Sequence, residues 1–156
     1  MGIPIWLSID YDYFVRYLPE FDWAHQESAF FQGSMIWMIR VATHHSRGGD
    51  LRDDMDPQKH ATPKPQNFFS VLQQLGYDFS ETDHVLIADS HAMAGPVFNQ
   101  LGREDGVPDL LVSFDAHHDL GYHGWSRTQE FIEKDQCSCD MWLCAVLCWY
   151  EQLKAR

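Results

Sequence analysis

The chain has 156 residues and a mass of 18.2 kDa, which excludes two large domains because single domains usually span about 100–200 residues. Its 45% hydrophobic and 14% aromatic content is enough for a core, so disorder of the whole chain is not expected. A formal net charge of -12 disfavours nucleic acid as a partner and favours cationic ligands or metal ions. We therefore predict one globular domain over residues 1–156.

The sequence has no feature that indicates a membrane or an oxidising compartment. No apolar run approaches the ~20 residues of a membrane span, and the opening MGIPIWLSIDYD lacks the basic and apolar segments of a signal peptide. We therefore expect a cytoplasmic protein without a membrane partner. The cysteines crowd near the end of the chain, at Cys137, Cys139, Cys144 and Cys148. Their spacing lacks C-x2-C pairs, which favours reduced thiols packed in a helix over the alternative of a zinc site.

The predicted elements begin with a short buried strand at residues 3–9, an apolar run rich in β-formers. Aromatic and methionine side chains between 20 and 42 have the spacing of a core helix, although a strand near 35–41 remains an alternative. The stretch 46–66 is rich in glycine and proline and poor in apolar residues, so we predict a long loop.

The second half of the sequence alternates helical and strand patterns. The predicted elements are a helix from Phe68 to Leu75 ended by Gly76, a buried strand over 84–88, a helix from Ala92 to Leu101 closed by Gly102, a buried strand over 107–114, and helices over 126–134 and 140–155. This alternation predicts an α/β fold with three layers, in which a mostly parallel sheet has helices on both faces. A ligand crevice is then expected at the carboxyl ends of the strands.

Acids and histidines follow all three predicted strands. The candidate ligands are Asp10 and Asp12 in SIDYD, His91 in DSH, and Asp115, His117 and Asp119 in DAHHD. Carboxylates at buried strand ends are tolerated when they are paired or bind cations. Four carboxylates would be neutralised by two divalent ions, and the two histidines add one nitrogen for each. Oxygen-rich ligation with some imidazole suits Mn²⁺, with iron or cobalt as substitutes.

The three motifs differ in how specific they are. Asp-x-Asp after a strand commonly caps a following helix, and Asp89-Ser-His91 is equally ambiguous. DAHHD directly after VPDLLVSF is more specific, because its ligands at alternating positions converge only if the chain leaves the strand in a fixed geometry. We expect His118 and His123 to lie beside the ligands and the remaining histidines to be ordinary surface or core residues.

These motifs resemble those of a known superfamily. SFDAHHD is similar to the D-A-H-x-D signature of the ureohydrolases, the arginase and agmatinase superfamily, and SIDYD is similar to their S-x-D-x-D motif. In arginases proper, S-x-D-x-D follows D-A-H-x-D, whereas here it opens the chain, and those enzymes are longer. The arrangement is closer to the peptide arginases of ribosomal peptide maturation, which convert arginine side chains of a precursor peptide to ornithine. The resemblance spans roughly residues 3–125.

The resemblance implies a small arginase-like fold, two manganese ions and an arginine-containing precursor peptide as substrate. It assigns His91, Asp115 and Asp119 to one ion and Asp10, Asp12 and His117 to the other. It further implies a metal-bridging hydroxide that attacks the guanidinium carbon, so that urea leaves and ornithine remains. Asp119 would pass a proton to the departing amine, and His123 is the candidate for the proton-shuttling histidine.

Recognition of the guanidinium group is less clear from the sequence. The candidates are four acids of the predicted loop, Asp50, Asp53, Asp54 and Asp56, because carboxylates match a guanidinium in bidentate geometry. Solvated loop charges are the preferred interpretation of the same residues. No segment corresponds to those that clamp the α-amino and α-carboxylate groups of free arginine in arginases, and an open cleft would suit a peptide.

Two other functions remain as alternatives. A strand followed by Asp-x-Asp also opens the haloacid-dehalogenase fold, and a metal-dependent phosphohydrolase is therefore the first. Such an enzyme needs a lysine near its site, but no lysine of this chain lies at a predicted strand end. The negative net charge also disfavours anionic substrates. The second is a catalytically silent metal-binding interaction module. Association into a homo-oligomer is left open by the sequence.

Overall fold

The computed structural model describes residues 4–15, 32–80, 82, 84–88, 90–122, 124–134 and 136–155. In chain order its strands and helices are β1 (Ile5–Ile9), α1 (Gln32–Ser46), α2 (Leu51–Asp54), α3 (Pro57–His60), α4 (Pro65–Gln74), α5 (Ala94–Glu104), β2 (Leu110–Phe114), α6 (Trp125–Glu133) and α7 (Trp142–Lys154). Short 3₁₀ turns follow β1 at Tyr11–Tyr13 and precede α5 at His91–Met93.

The two strands pair in parallel, and this pairing sets the geometry of the candidate site. Ile5 lies opposite Leu110 and Ile9 opposite Phe114, and the backbone N–H of Asp10 extends the ladder by donating to the Phe114 carbonyl at 2.8 Å. Because parallel strands in register end at the same edge, the residues after β1 and β2 emerge side by side. The prediction of a mixed α/β chain with parallel strands is confirmed, as a two-stranded sheet among the described residues.

Side chains of the sheet pack into two separate apolar clusters. Trp6 of β1 and Leu111 of β2 pack on a cluster built mainly from α7, whose buried members include Trp142, Val146 and Trp149. Leu7 and Ile9 of β1 and Phe114 of β2 pack against the other cluster. The buried members of that cluster are Phe14, Val15, Ala61, Phe68 and Leu72. Alternate residues of β1 therefore enter different clusters, as the twofold period of a strand requires.

The prediction of a buried strand over 84–88 is wrong. These residues have no regular secondary structure, and Val85 and Ile87 are 81% and 92% exposed. The run is apolar and partly β-branched, which favours a strand, but a strand also needs a neighbour to pair with and a surface to cover it. Within the described residues the sheet provides neither for this segment.

Three other boundaries also differ from the predictions. The predicted loop 46–66 contains α2 and α3, which begin after the capping residues Asp50 and Asp56, and the start of α4 at Pro65. The segment 35–41 is helical, within α1, while residues 20–31 of the predicted 20–42 element lie outside the described residues. Helix α5 does not end at Gly102 but continues to Glu104. Gly102 instead allows the helix to pack closely on Tyr150, since a β-carbon at this position would lie 3.0 Å from the Tyr150 ring.

The remaining helices agree with the sequence patterns to within a few residues. Helix α4 ends just before Gly76, whose φ of +97° is the left-handed conformation common after helices. Helices α6 and α7 confirm the predictions for 126–134 and 140–155. The four cysteines form no disulfide, and Cys137 is buried while the others are half-buried. None of the helices in the described part of the chain is long and apolar enough to cross a membrane.

Candidate metal centre

Three distant segments bring six predicted ligands to the carboxyl edge of the sheet. Asp10 follows β1, and Asp12 lies in the 3₁₀ turn behind it. His91 begins the turn that precedes α5, and the loop after β2 supplies Asp115, His117 and Asp119. The shared edge of two parallel strands therefore explains why residues about 100 positions apart in sequence become neighbours.

The first set of potential ligands consists of Asp10, His91 and Asp115, whose ligand atoms all lie within 4.8 Å of one another. His91 Nδ1 is at its centre, 2.8 Å from Asp10 Oδ2 and 2.9 Å from Asp115 Oδ2. Asp119 lies beside this set, with its Oδ2 at 3.2 Å from the same nitrogen. One imidazole nitrogen therefore faces three carboxylates.

The second set consists of Asp12, Asp115 and His117, again with ligand atoms within 4.8 Å of one another. His117 Nδ1 lies 3.0 Å from Asp12 Oδ2 and 3.5 Å from Asp115 Oδ1. Asp115 thus directs Oδ2 to the first set and Oδ1 to the second. A carboxylate shared in this way is suited to bridge two cations.

Backbone hydrogen bonds fix the acids in these positions. The N–H of Asp12 donates to Asp10 Oδ1 at 3.1 Å, and the N–H of His117 donates to Asp115 Oδ1 at 2.7 Å. The N–H of Ala116 donates across the site to Asp12 Oδ1 at 3.2 Å, which ties the two strand ends together. Asp119 has a φ of +48°, a left-handed conformation that aspartate tolerates better than most residues.

The side chains of Ser8 and Trp142 also contact the ligands, and neither contact was predicted. Ser8 Oγ lies 2.7 Å from His91 Nε2, on the side of the ring opposite the carboxylates. The Trp142 indole N–H donates to Asp119 Oδ2 at 2.6 Å. Ser8 could have been inferred, because it precedes Asp10 by two residues on a strand and shares its face. No local pattern signals Trp142, which lies 23 residues beyond Asp119.

The centre is buried on one side and accessible on the other. The Asp115, Asp119 and His91 side chains are 5%, 8% and 11% exposed, whereas those of Asp12 and His117 are 26% and 30% exposed. The Asp10 side chain, at 27%, is as exposed as that of Asp12, so a small solute can reach an acid of each set, above a floor formed by Asp115, Asp119 and His91.

Burial and mutual repulsion shift the ionisation of these groups. Burial, followed by the negative charge of Asp10, raises the pKa of Asp12 to about 6. Burial also raises the pKa of Asp119. Burial alone would lower the pKa of His91, but its contacts with Asp10, Asp115 and Asp119 outweigh this effect and raise the pKa to about 11. Without a cation, a proton on His91 therefore supplies the positive charge that the carboxylates need.

The donor atoms fit a divalent cation. His91 Nδ1 and Asp115 Oδ2 are fully buried, yet neither atom has a partner in hydrogen-bond geometry within the described residues. Buried polar atoms that make no well-aligned hydrogen bond are costly, even in a contact such as this one at 2.9 Å, and ligation of a cation would offset that cost. Carboxylate oxygens with one imidazole in each set are ligands that suit Mn²⁺, Fe²⁺ or Co²⁺.

The pKa of His91 predicts that metal binding displaces a proton. At pH 8 the metal-free protein should carry a protonated His91 and an ionised Asp12, since the pKa values are about 11 and about 6. Because a ligating imidazole must be neutral, we expect release of at least about one proton per chain on manganese binding at this pH, with a further contribution from ionisation of a metal-bound water. Titration calorimetry in buffers of different ionisation enthalpy measures this number, and buffer-independent heats would contradict the expectation.

The four acids proposed to bind a guanidinium lie outside both ligand sets and have partners of their own. The Asp50 and Asp56 carboxylates accept from the backbone N–H groups of Arg52 and Gln58 and so begin α2 and α3. Asp53 pairs with Lys59, and Asp54 lies 2.7 Å from His44 Nε2. These contacts give all four carboxylates a local structural role, consistent with the interpretation as loop charges.

Of the other residues named from the sequence, the structure describes His118, which lies in the loop after β2. His118 is exposed, accepts from the Leu120 N–H at 3.0 Å through Nδ1, and stacks on the Tyr122 ring at 4.3 Å between centroids. His123, the candidate proton shuttle, and Asp89 lie outside the described residues.

Comparison with protein-family models, with curated proteins and with solved structures gives no match for this chain. The interpretation of the site therefore depends on its own residues and geometry.

Proposed function

We propose that this protein is a manganese-dependent hydrolase that converts peptidyl arginine to ornithine and releases urea. The observation that carries the proposal is the pair of ligand sets that share Asp115 at the carboxyl edge of β1 and β2. The motif resemblance to peptide arginases supplies the substrate class. The three-layer arginase-like fold is part of the same proposal, and the packing of sheet side chains into two clusters supports it.

The ligand sets would hold the two ions in different environments. Asp10, His91 and Asp115 would hold one ion, and Asp12, Asp115 and His117 the other; the sets differ in their histidines, since the His91 side chain is 11% exposed and that of His117 30%. When bound, a pair of divalent cations supplies a water molecule that ionises near neutral pH. A guanidinium group would approach from the side on which Asp10, Asp12 and His117 are partly exposed.

In the proposed reaction, water adds to the guanidinium carbon and the bond from that carbon to the ornithine nitrogen breaks. The attacking water must lose both of its protons to become the urea oxygen, and the departing N–H nitrogen must gain two to leave as an ammonium group. We assign this transfer to Asp119, which lies beside the first ligand set and whose pKa is raised by burial and by the neighbouring charge of Asp115. The products are urea and the ornithine side chain in its ammonium form.

The negative charge of the chain supports a cationic substrate. The formal net charge of -12 would attract a peptide that carries several arginines and would repel a phosphate ester. The negative charge therefore disfavours a phosphohydrolase that would use the same acids.

Urea release is the direct test. Purified protein with added Mn²⁺ should release urea from an arginine-containing peptide, and the same peptide with lysine in place of arginine should give none. Phosphate release from a generic phosphate ester without urea would instead identify a phosphohydrolase. Manganese binding without either product would contradict the proposed enzyme and favour a silent binding module.

A further inference from the structure

The first turn of α7 holds the loop that carries Asp119. The backbone N–H of Cys144 donates to the Asp119 carbonyl at 3.4 Å, and the N–H of Gly121 donates to the Asp140 carbonyl at 2.8 Å. The Trp142 indole N–H reaches the Asp119 carboxylate itself, at 2.6 Å. The left-handed backbone at Asp119 is therefore supported by both backbone and side-chain contacts from one helix.

Trp142 contacts a second predicted ligand as well. Its ring centroid lies 4.7 Å from that of His91, with the ring planes tilted by 39°, and its other neighbours include Phe98 at 5.7 Å. The residue is 0% exposed, so the indole cannot turn away from these contacts without disrupting the core. One rigid side chain therefore touches Asp119 through its N–H and His91 through its ring.

Another tryptophan of the same helix shows that this hydrogen bond is not a general requirement of the core. Trp149 is 2% exposed, and its Nε1 has no hydrogen-bond partner within the described residues. As far as the described residues show, the core therefore accommodates this indole without a hydrogen bond to its N–H. The contact from Trp142 to a buried carboxylate is by contrast short and charge-assisted.

We propose that Trp142 is a positioning residue of the metal centre. Its N–H fixes one oxygen of Asp119, and its ring fixes the orientation of His91, so both groups are already in place when a cation binds. Partners of this kind set ligand geometry and strongly affect metal affinity. The inference depends on the metal site of the proposed function, and it is independent of the substrate.

The test compares two matched variants, Trp142→Phe and Trp149→Phe. Each keeps an aromatic ring in the same helix and removes the indole N–H. We expect Trp142→Phe to weaken manganese binding by about 10- to 100-fold, as loss of a ligand's supporting partner does. Trp149→Phe should retain the affinity of the unaltered protein, even where both variants lower the melting temperature alike. Equal manganese affinity in both variants would overturn the inference.

A measurement on the unaltered protein covers the case in which Trp142→Phe does not fold. Bound Mn²⁺ broadens nuclear resonances steeply with proximity, so the Trp142 indole N–H signal should disappear at lower manganese occupancy than that of Trp149. A Trp142 signal that stays sharp in the manganese-loaded protein would overturn the inference. The expected broadening without urea release would refute the proposed activity and leave the role of Trp142 intact.

Discussion

Replacing Asp115 with asparagine is expected to remove both cations and to lower urea release by at least about 10³-fold, or about 4 kcal/mol of transition-state stabilisation. Asp115 is the residue common to both ligand sets, and its two oxygens face different histidines. Asparagine preserves the shape but removes the charge and one anionic oxygen. Manganese content after dialysis and urea release with a peptide substrate measure the effect.

Asp109→Asn is the matched control for this variant. Asp109 immediately precedes β2, is exposed, and lies at the end of the strand opposite the candidate site. The control loses the same charge from the same region and should keep both manganese and turnover. Full metal content in Asp115→Asn would contradict the shared-ligand geometry.

Asp119→Asn is expected to fold normally and to lose turnover by about 10²- to 10⁴-fold, the usual contribution of general acid–base catalysis. Asparagine tolerates the left-handed φ of +48° and can still accept the Trp142 N–H through its amide oxygen. It cannot carry a proton between the water and the departing amine. The rate should be measured at manganese concentrations that saturate the variant, so that weaker metal binding is not mistaken for lost chemistry.

The same measurement separates the two roles assigned to Asp119. Weaker manganese binding with an unchanged rate at saturation would show that Asp119 serves only as a ligand. A rate that stays low at saturation supports its role in proton transfer. The melting temperatures of the unaltered protein and of Asp119→Asn show whether the fold is retained.

Much of the site could be predicted from the sequence because its ligands follow a simple topological rule. Asp10 and Asp115 each come directly after an apolar run, and parallel strands end at one edge, so the strands that were predicted also located the acids. His91 was predicted by the same rule, but the strand expected before it is absent from the described residues, so its position has another cause. Its placement comes from the 3₁₀ turn that Ser90 caps and from its contact with Ser8.

The parts that the sequence did not reveal depend on contacts between distant segments. The apolar character of Val85 and Ile87 indicates a strand, but nothing local states whether a partner strand will be present. The role of Trp142 depends on how α7 packs against the loop after β2, and an apolar helix pattern fits any buried orientation. The loop acids Asp50 and Asp56 were considered for binding, whereas their positions just before short helices make them caps.

The most direct test of the two-metal account is diffraction from manganese-soaked crystals at the manganese absorption edge. The account predicts two anomalous peaks, one among Asp10, His91 and Asp115 and one among Asp12, Asp115 and His117. No peak at either position, with the side chains contacting only one another and solvent, would contradict it.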